Sequence, residues 1–171
     1  MRLEKNGRLT VQSLAAGGLM AALVCVATSF FKLPVPVTQG YIHLGDAFVL
    51  VSAAILGPVG VVAAAVGSML ADLLGGYFTY VLPTFVIKGA VAAVALSGLR
   101  EEKPFWLQLI AMLAAEAVMV LGYFVAEWLL LGYGLAAAGA AVLPNVVQGL
   151  SGVIIGAVLL PIFRRIWKRI A

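Results

Sequence analysis

Residues 40–58, GYIHLGDAFVLVSAAILGP, decide how the chain is to be read. A ring, a histidine and a carboxylate lead into a dozen residues with almost no polarity, and a Gly-Pro pair ends the run. Such a run enters an apolar medium and turns back. The rest of the chain says what that medium is. Of 171 residues, 64% are hydrophobic and 11% charged, with a mean hydropathy of +1.13. Soluble domains carry about 25% charged residues, and so few charges cannot cover this much apolar surface. The solvent is a lipid bilayer, and no polar linker divides the chain, so one membrane domain over residues 1–171 is expected.

Apolar runs cover about 13–31, 46–57, 59–74, 83–99, 105–131 and 141–163. The second and third are short, and Gly57–Pro58 between them reads as a turn. Charge settles the count. Six spans with an inner N-terminus put Arg2, Lys5, Arg8, Arg100, Lys103, Arg164, Arg165, Lys168 and Arg169 on the cytoplasmic side, nine of the eleven basic residues. Five spans would place the C-terminal basic cluster outside, against the positive-inside tendency. The expected fold is therefore an all-α integral membrane bundle of six transmembrane helices with both termini cytoplasmic. A basic start before an apolar run also fits a signal peptide, but the first run is long enough to span and others follow it. The basic residues flank spans rather than forming one face, so no nucleic-acid partner is expected.

Outer loops are then 32–45, 75–82 and 132–140, with Pro34, Pro36, Tyr77, Tyr80 and Pro83 in or beside them. Long aromatic connections on one side suggest that this side recognises something. Ionisable groups inside spans cost about 2.5–3.5 kcal/mol or more and face the bundle interior or an aqueous cavity. Asp46, Asp72, Lys88, Glu127, Asn145 and Gln148 fall in the outer half, Glu116 near mid-depth, and Tyr41, His43, Tyr77 and Tyr80 above them. Glu116, Tyr123 and Glu127 share a face at spacings of seven and four, and Asn145 and Gln148 share another. This distribution describes a pocket open to the exterior. A pore or proton wire would carry its polar lining through to the cytoplasm.

Structural roles compete with binding at several positions. Asp46 is placed to cap span two. Asp72 and Lys88 are placed either to pair with each other or to meet substrate, and Tyr77 and Tyr80 fit an interfacial aromatic belt. Cys25 is the one cysteine, and the histidine is also single, so neither a disulfide nor an ordinary metal site is expected. No phosphate-binding loop, zinc helix or nucleophile elbow is present. The chain reads as a binding protein with no engine of its own, neither an enzyme nor a holder of a cofactor.

The block at 40–58 and a second, GSMLADLLGGYFTYVLPTFVIKG at 67–89, resemble the substrate-binding S components of energy-coupling factor (ECF) vitamin transporters. The likeness covers nearly the whole chain and is strongest to the branch for pyridoxine, hydroxymethylpyrimidine or riboflavin. It implies a six-helix S component in the cell membrane, partnered by a transmembrane coupling subunit and two ATPase subunits that supply the energy. It also implies docking on the coupling subunit through small residues of span one, here Gly17, Gly18, Ala21 and Ala22, with glycine where the family has its first alanine. By location it assigns substrate binding to Tyr41, His43, Tyr80, Lys88, Glu116, Tyr123, Glu127, Asn145 and Gln148. The surplus of carboxylates over bases favours a neutral or weakly cationic heterocycle such as an aminopyrimidine or pyridine vitamin, with Lys88 available to a phenolate oxygen. Riboflavin or another micronutrient is the alternative substrate, and a stand-alone small transporter the alternative class.

Overall fold

The computed structural model describes residues 10–30 and 32–170. Arg2, Lys5 and Arg8, used above to orient the chain, lie outside the described residues. Six α-helices follow one another: α1 (Val11–Phe30), α2 (Asp46–Leu56), α3 (Pro58–Gly75), α4 (Val81–Gly98), α5 (Phe105–Val125) and α6 (Leu135–Ile170). All but α2 are long and apolar enough to cross a membrane. The expected all-helical fold also gains a β element. Residues of the expected first outer loop form a hairpin, β1 (Lys32–Val35) and β2 (Gly40–His43), paired antiparallel with Lys32 opposite His43 and Val35 opposite Gly40. Its turn passes through Gln39 at φ 55°.

Helix α2 has 11 residues, of which only Phe48 and Ala54 are not buried. At ~1.5 Å per residue it covers about half of a bilayer core. A helix apolar on every side belongs at the centre of a bundle, and α2 packs against α1, α3, α4 and α6. The axial space above its N-terminus is left for the hairpin. At its other end Gly57 takes φ 60°, and Pro58 occupies the first turn of α3, where its missing amide hydrogen costs nothing. The two helices then run so close that a Cβ on Gly60 would lie 1.9 Å from the Ser52 carbonyl oxygen. Ser52 closes the contact by donating its hydroxyl to the Gly60 carbonyl at 2.9 Å.

Helix α6 is longer than the run at 141–163, because the Ala/Gly-rich stretch before it and the basic stretch after it are also helical. Most of the expected outer loop at 132–140 is thus helix, in keeping with the high helix propensity of alanine. Its inward stripe runs Ala138, Ala141, Asn145, Gln148, Gly149, Gly152 and Gly156. Gln12 and Ala15 of α1 line a groove with Ile166 and Trp167 of α6, so the described ends of the chain lie at the same end of the bundle. There Arg164 donates to the Gln108 side chain at 2.9 Å and to the Leu99 carbonyl at 2.8 Å, joining the ends of α4, α5 and α6.

Candidate functional site

The hairpin covers a cavity at the other end of the bundle. Val35, Thr38, Gly40, Tyr41 and His43 form its roof, and Asp72, Tyr80, Thr84, Tyr123, Glu127, Ala141, Asn145 and Gln148 its walls. These wall residues come from α3, the α3–α4 connection, α4, α5 and its extension, and α6. Helix α5 continues through a π-helical segment, Ala126–Leu130, that carries the buried Glu127. Such segments shift the helical register locally and recur at functional sites. The face predicted for α5 is the inward one, with Glu116, Tyr123 and Glu127 all buried.

Three side chains tie down the turn and β2 of the hairpin. The Tyr41 hydroxyl donates to Asp72 Oδ1 at 2.5 Å. The Tyr80 hydroxyl lies 2.8 Å from the Thr38 carbonyl oxygen and 3.0 Å from Glu127 Oε1, with one proton to share between them. The His43 amide donates to Gln148 Oε1 at 2.9 Å. His43 Nδ1 in turn accepts the Gly45 amide at 2.9 Å. That bond needs an unprotonated ring nitrogen, and burial lowers the His43 pKa to about 3 despite the opposing field of Asp46. Burial likewise raises the Tyr41 and Tyr80 pKa values, so both hydroxyls stay protonated donors.

Below the cavity floor lies a polar cluster that is closed to solvent. Lys88 of α4 forms an ion pair with Asp46 Oδ1 of α2, and both side chains are 0% exposed. Asp46 Oδ2 accepts Gln148 Nε2 at 2.7 Å. Lys88 also stands 5.4 Å from the centre of the Tyr123 ring, whose hydroxyl is 2.9 Å from that of Thr84. This corrects two expectations. Lys88 pairs with Asp46, not Asp72, because α2 is inserted between the outer helices and brings its first carboxylate to the α4 face. Asp46 makes no capping bond, since it is the first residue of α2 and its carboxylate turns inward. Asp72 instead meets Tyr41, while Lys32 donates to the Ala71 carbonyl at 3.2 Å and lies over the Tyr41 and Tyr77 rings.

Of the nine residues assigned to substrate, Tyr41, His43, Tyr80, Tyr123, Glu127, Asn145 and Gln148 line the cavity. Lys88 and Glu116 do not. Eleven residues separate Glu116 from Glu127, about 16 Å along a helix, which places Glu116 deeper, against Gly149 and Gly152 of α6. Both of its carboxyl oxygens are buried without a hydrogen-bond partner. The lining adds Asp72, Thr38 and Thr84, which the assignment lacked. The sequence places Asp72 either to pair with Lys88 or to meet substrate, and Thr84 stands one turn before Lys88 on the same face of α4, so the helical period carried its signal. The signal for Thr38 was present in the short runs at 32–35 and 40–43, separated by a four-residue turn.

Three lining groups keep a buried oxygen without a partner: Asp72 Oδ2, Glu127 Oε2 and Thr38 Oγ1. Buried polar atoms are nearly always paired, so these three are exceptions clustered in one lining. The cavity itself is small, about 20 Å³, room for about one water. On the flank of the bundle, Leu14, Gly17, Gly18 and Ala21 of α1 and Pro58, Val59, Val62, Ala63 and Val66 of α3 line an apolar groove of about 390 Å³. Gly17 faces α3, where a Cβ would lie 2.7 Å from Val59, whereas Gly18 opens onto free space.

Comparison with known proteins shows relatives in sequence and one in fold. Residues 8–165 match the family described as the ECF-type riboflavin transporter, S component. An uncharacterized Pyrococcus woesei protein is 37% identical over 134 residues, 78% of this chain and 88% of that one. The thiamine precursor transporter HmpT of Lactococcus lactis subsp. cremoris (strain MG1363) is 30% identical over 167 residues, 96% of this chain and 94% of that one. The solved S component of a bacterial ECF transporter shares the fold with a TM-score of 0.70 at 19% identity, over 93% of this chain and 97% of that one. A multi-pass helical membrane protein with a lidded, polar-walled cavity, the chain belongs to the S components of ECF transporters, which work with a membrane and ATPase module.

Proposed function

We propose that this S component captures a small amino-substituted heterocycle, of the pyrimidine class of vitamin precursors, on the outer face of the cytoplasmic membrane. It then hands that molecule to a transmembrane coupling subunit driven by two ATPase subunits. The observation that carries the substrate class is the pair of half-used carboxyl groups, Asp72 and Glu127, facing a ring-lined cavity. Acceptors in a site call for donors on the ligand. Tyr41, Tyr80 and Tyr123 supply faces for a flat ring, and Asn145 is placed to read its edge. A phosphorylated or carboxylated ligand finds little here, since Lys88 is held by Asp46 and Lys32 by the Ala71 carbonyl and two rings. Pyridoxine fits less well for the same reason, because Lys88 does not reach the cavity to meet a phenolate. The thiamine-precursor relative supports the pyrimidine reading.

Ligand pockets typically offer ~300–1,000 Å³, far above the 20 Å³ enclosed here. Capture therefore requires the hairpin to lift. Docking on the coupling subunit falls to the small residues of α1, Gly17, Gly18, Ala21 and Ala22, of which the first three line the flank groove while Gly18 opens onto free space.

Thermal unfolding of the detergent-purified protein with hydroxymethylpyrimidine, pyridoxine, pyridoxal, thiamine and riboflavin tests the reading. A ligand at a thousandfold excess over Kd adds about 4 kcal/mol to stability. The expected result is a large shift with hydroxymethylpyrimidine, abolished in Glu127→Ala. A shift with riboflavin alone, or with none of the five, overturns the pyrimidine assignment.

A further inference from the structure

Gln148 lines the cavity, yet its amide is engaged at both ends. Oε1 accepts the His43 backbone amide at 2.9 Å, and Nε2 donates to Asp46 Oδ2 at 2.7 Å. Asp46 is in turn the partner of Lys88. One side chain thus links the last residue of the lid to an ion pair with no solvent exposure, joining β2, α6, α2 and α4. The Tyr41 and Tyr80 ties of the hairpin differ from this one. Asp72 and Glu127 each keep an oxygen facing the cavity without a partner, so a ligand can bind there while Tyr41 and Tyr80 hold or release the hairpin. The Gln148 tie offers no such exchange. If it parts, a buried backbone N–H on His43 is orphaned, and buried N–H groups without partners are rare. The glycines of α6 position this link: a Cβ on Gly152 would lie 2.9 Å from Asp46 Cβ, so only a bare backbone lets α6 come this close to α2.

We propose that Gln148 is a positioning residue, a latch that holds the hairpin closed by joining the His43 backbone to the Asp46–Lys88 pair. The proposal rests on the capture reading for what the lid encloses, but the latch can be measured without any ligand. Hydrogen–deuterium exchange of the full-length protein in detergent, followed over residues 36–45, reads the lid directly. Gln148→Met keeps the volume of the side chain and removes both hydrogen bonds, and Gln148→Ala serves as the second variant. Loss of a buried hydrogen bond of this kind corresponds to roughly a tenfold rise in opening. The expected result is a rise of about that size confined to the hairpin, with α3 and α5 exchanging as in the parent protein.

Binding kinetics with hydroxymethylpyrimidine give the second arm. A loosened latch speeds association and dissociation together, by about tenfold each. Hairpin exchange equal to the parent's overturns the latch, and so does a rise spread evenly over all helices. A dissociation rate that increases alone means that Gln148 touches the ligand and is not the latch. If hydroxymethylpyrimidine fails to bind at all, the substrate reading falls while the exchange arm still decides the latch.

Discussion

The buried pair of Asp46 and Lys88 gives the sharpest test of how this bundle is held together. Both side chains are 0% exposed, and Asp46 has a second donor in Gln148 while Lys88 has Tyr123 beneath its ammonium group. Removing one partner of a buried ion pair leaves the other charge uncompensated, which typically costs about 3–5 kcal/mol. Asp46→Asn strands the ammonium of Lys88 in the apolar centre. Lys88→Met strands the carboxylate of Asp46, with the Gln148 donor as its remaining support. For a chain of 150–250 residues each kcal/mol moves Tm by about 2–4 °C, so each single variant is expected to melt about 6–20 °C below the parent. The double variant Asp46→Asn/Lys88→Met has no stranded charge and is expected to recover most of that loss, because buried pairs replaced by neutral groups of similar size are often close to neutral in stability. Thermal unfolding followed by tryptophan fluorescence in detergent, without ligand, closes the cycle. Single variants that lose less than about 1 kcal/mol, or a double variant that loses the sum of the two, would refute the reasoning.

The remaining predictions concern the lid, the α2–α3 turn and the docking face. His43 has a folded pKa of about 3 against an ordinary value of 6.5. Its contribution to stability is therefore complete above pH 6.5 and falls by about 1.4 kcal/mol per pH unit as the pH drops toward 3. At pH 5 the loss is about 2 kcal/mol, and a His43→Gln variant should show a flatter Tm profile between pH 7.5 and 5. Gly60→Ala brings a Cβ to 1.9 Å from the Ser52 carbonyl oxygen, and unfolding scans should show it destabilised by roughly 1–3 kcal/mol. A Cβ on Gly18 would meet no atom within 4 Å, so a Gly18→Leu protein should fold and melt close to the parent. Its co-purification with the coupling subunit should fall sharply, and undiminished recovery would remove Gly18 from the docking face.

Composition alone determined the solvent of this protein, because 64% apolar and 11% charged residues leave only lipid as a medium. The six helical runs and the turn at Gly57 were legible for the same local reasons: length, apolar continuity and the Gly-Pro break. The inward faces of α5 and α6 were legible too, since the helical period puts Glu116, Tyr123 and Glu127 on one side and Asn145 and Gln148 on another. What the sequence left open were partnerships between segments distant in the chain. Asp46 stands 42 residues from Lys88 and 102 from Gln148, and no local rule ranks Asp46 above Asp72 as the partner of Lys88. That choice is made by the shortness of α2, which lets it sit at the bundle axis with its first carboxylate at the α4 face. Depth was likewise decided by packing. The glycines of α6 draw Glu116 and Asp46 into the closed core, while the π-helical segment carries Glu127 at the cavity wall. Residues that look equivalent along a helix therefore divide into a lidded site and its buried support.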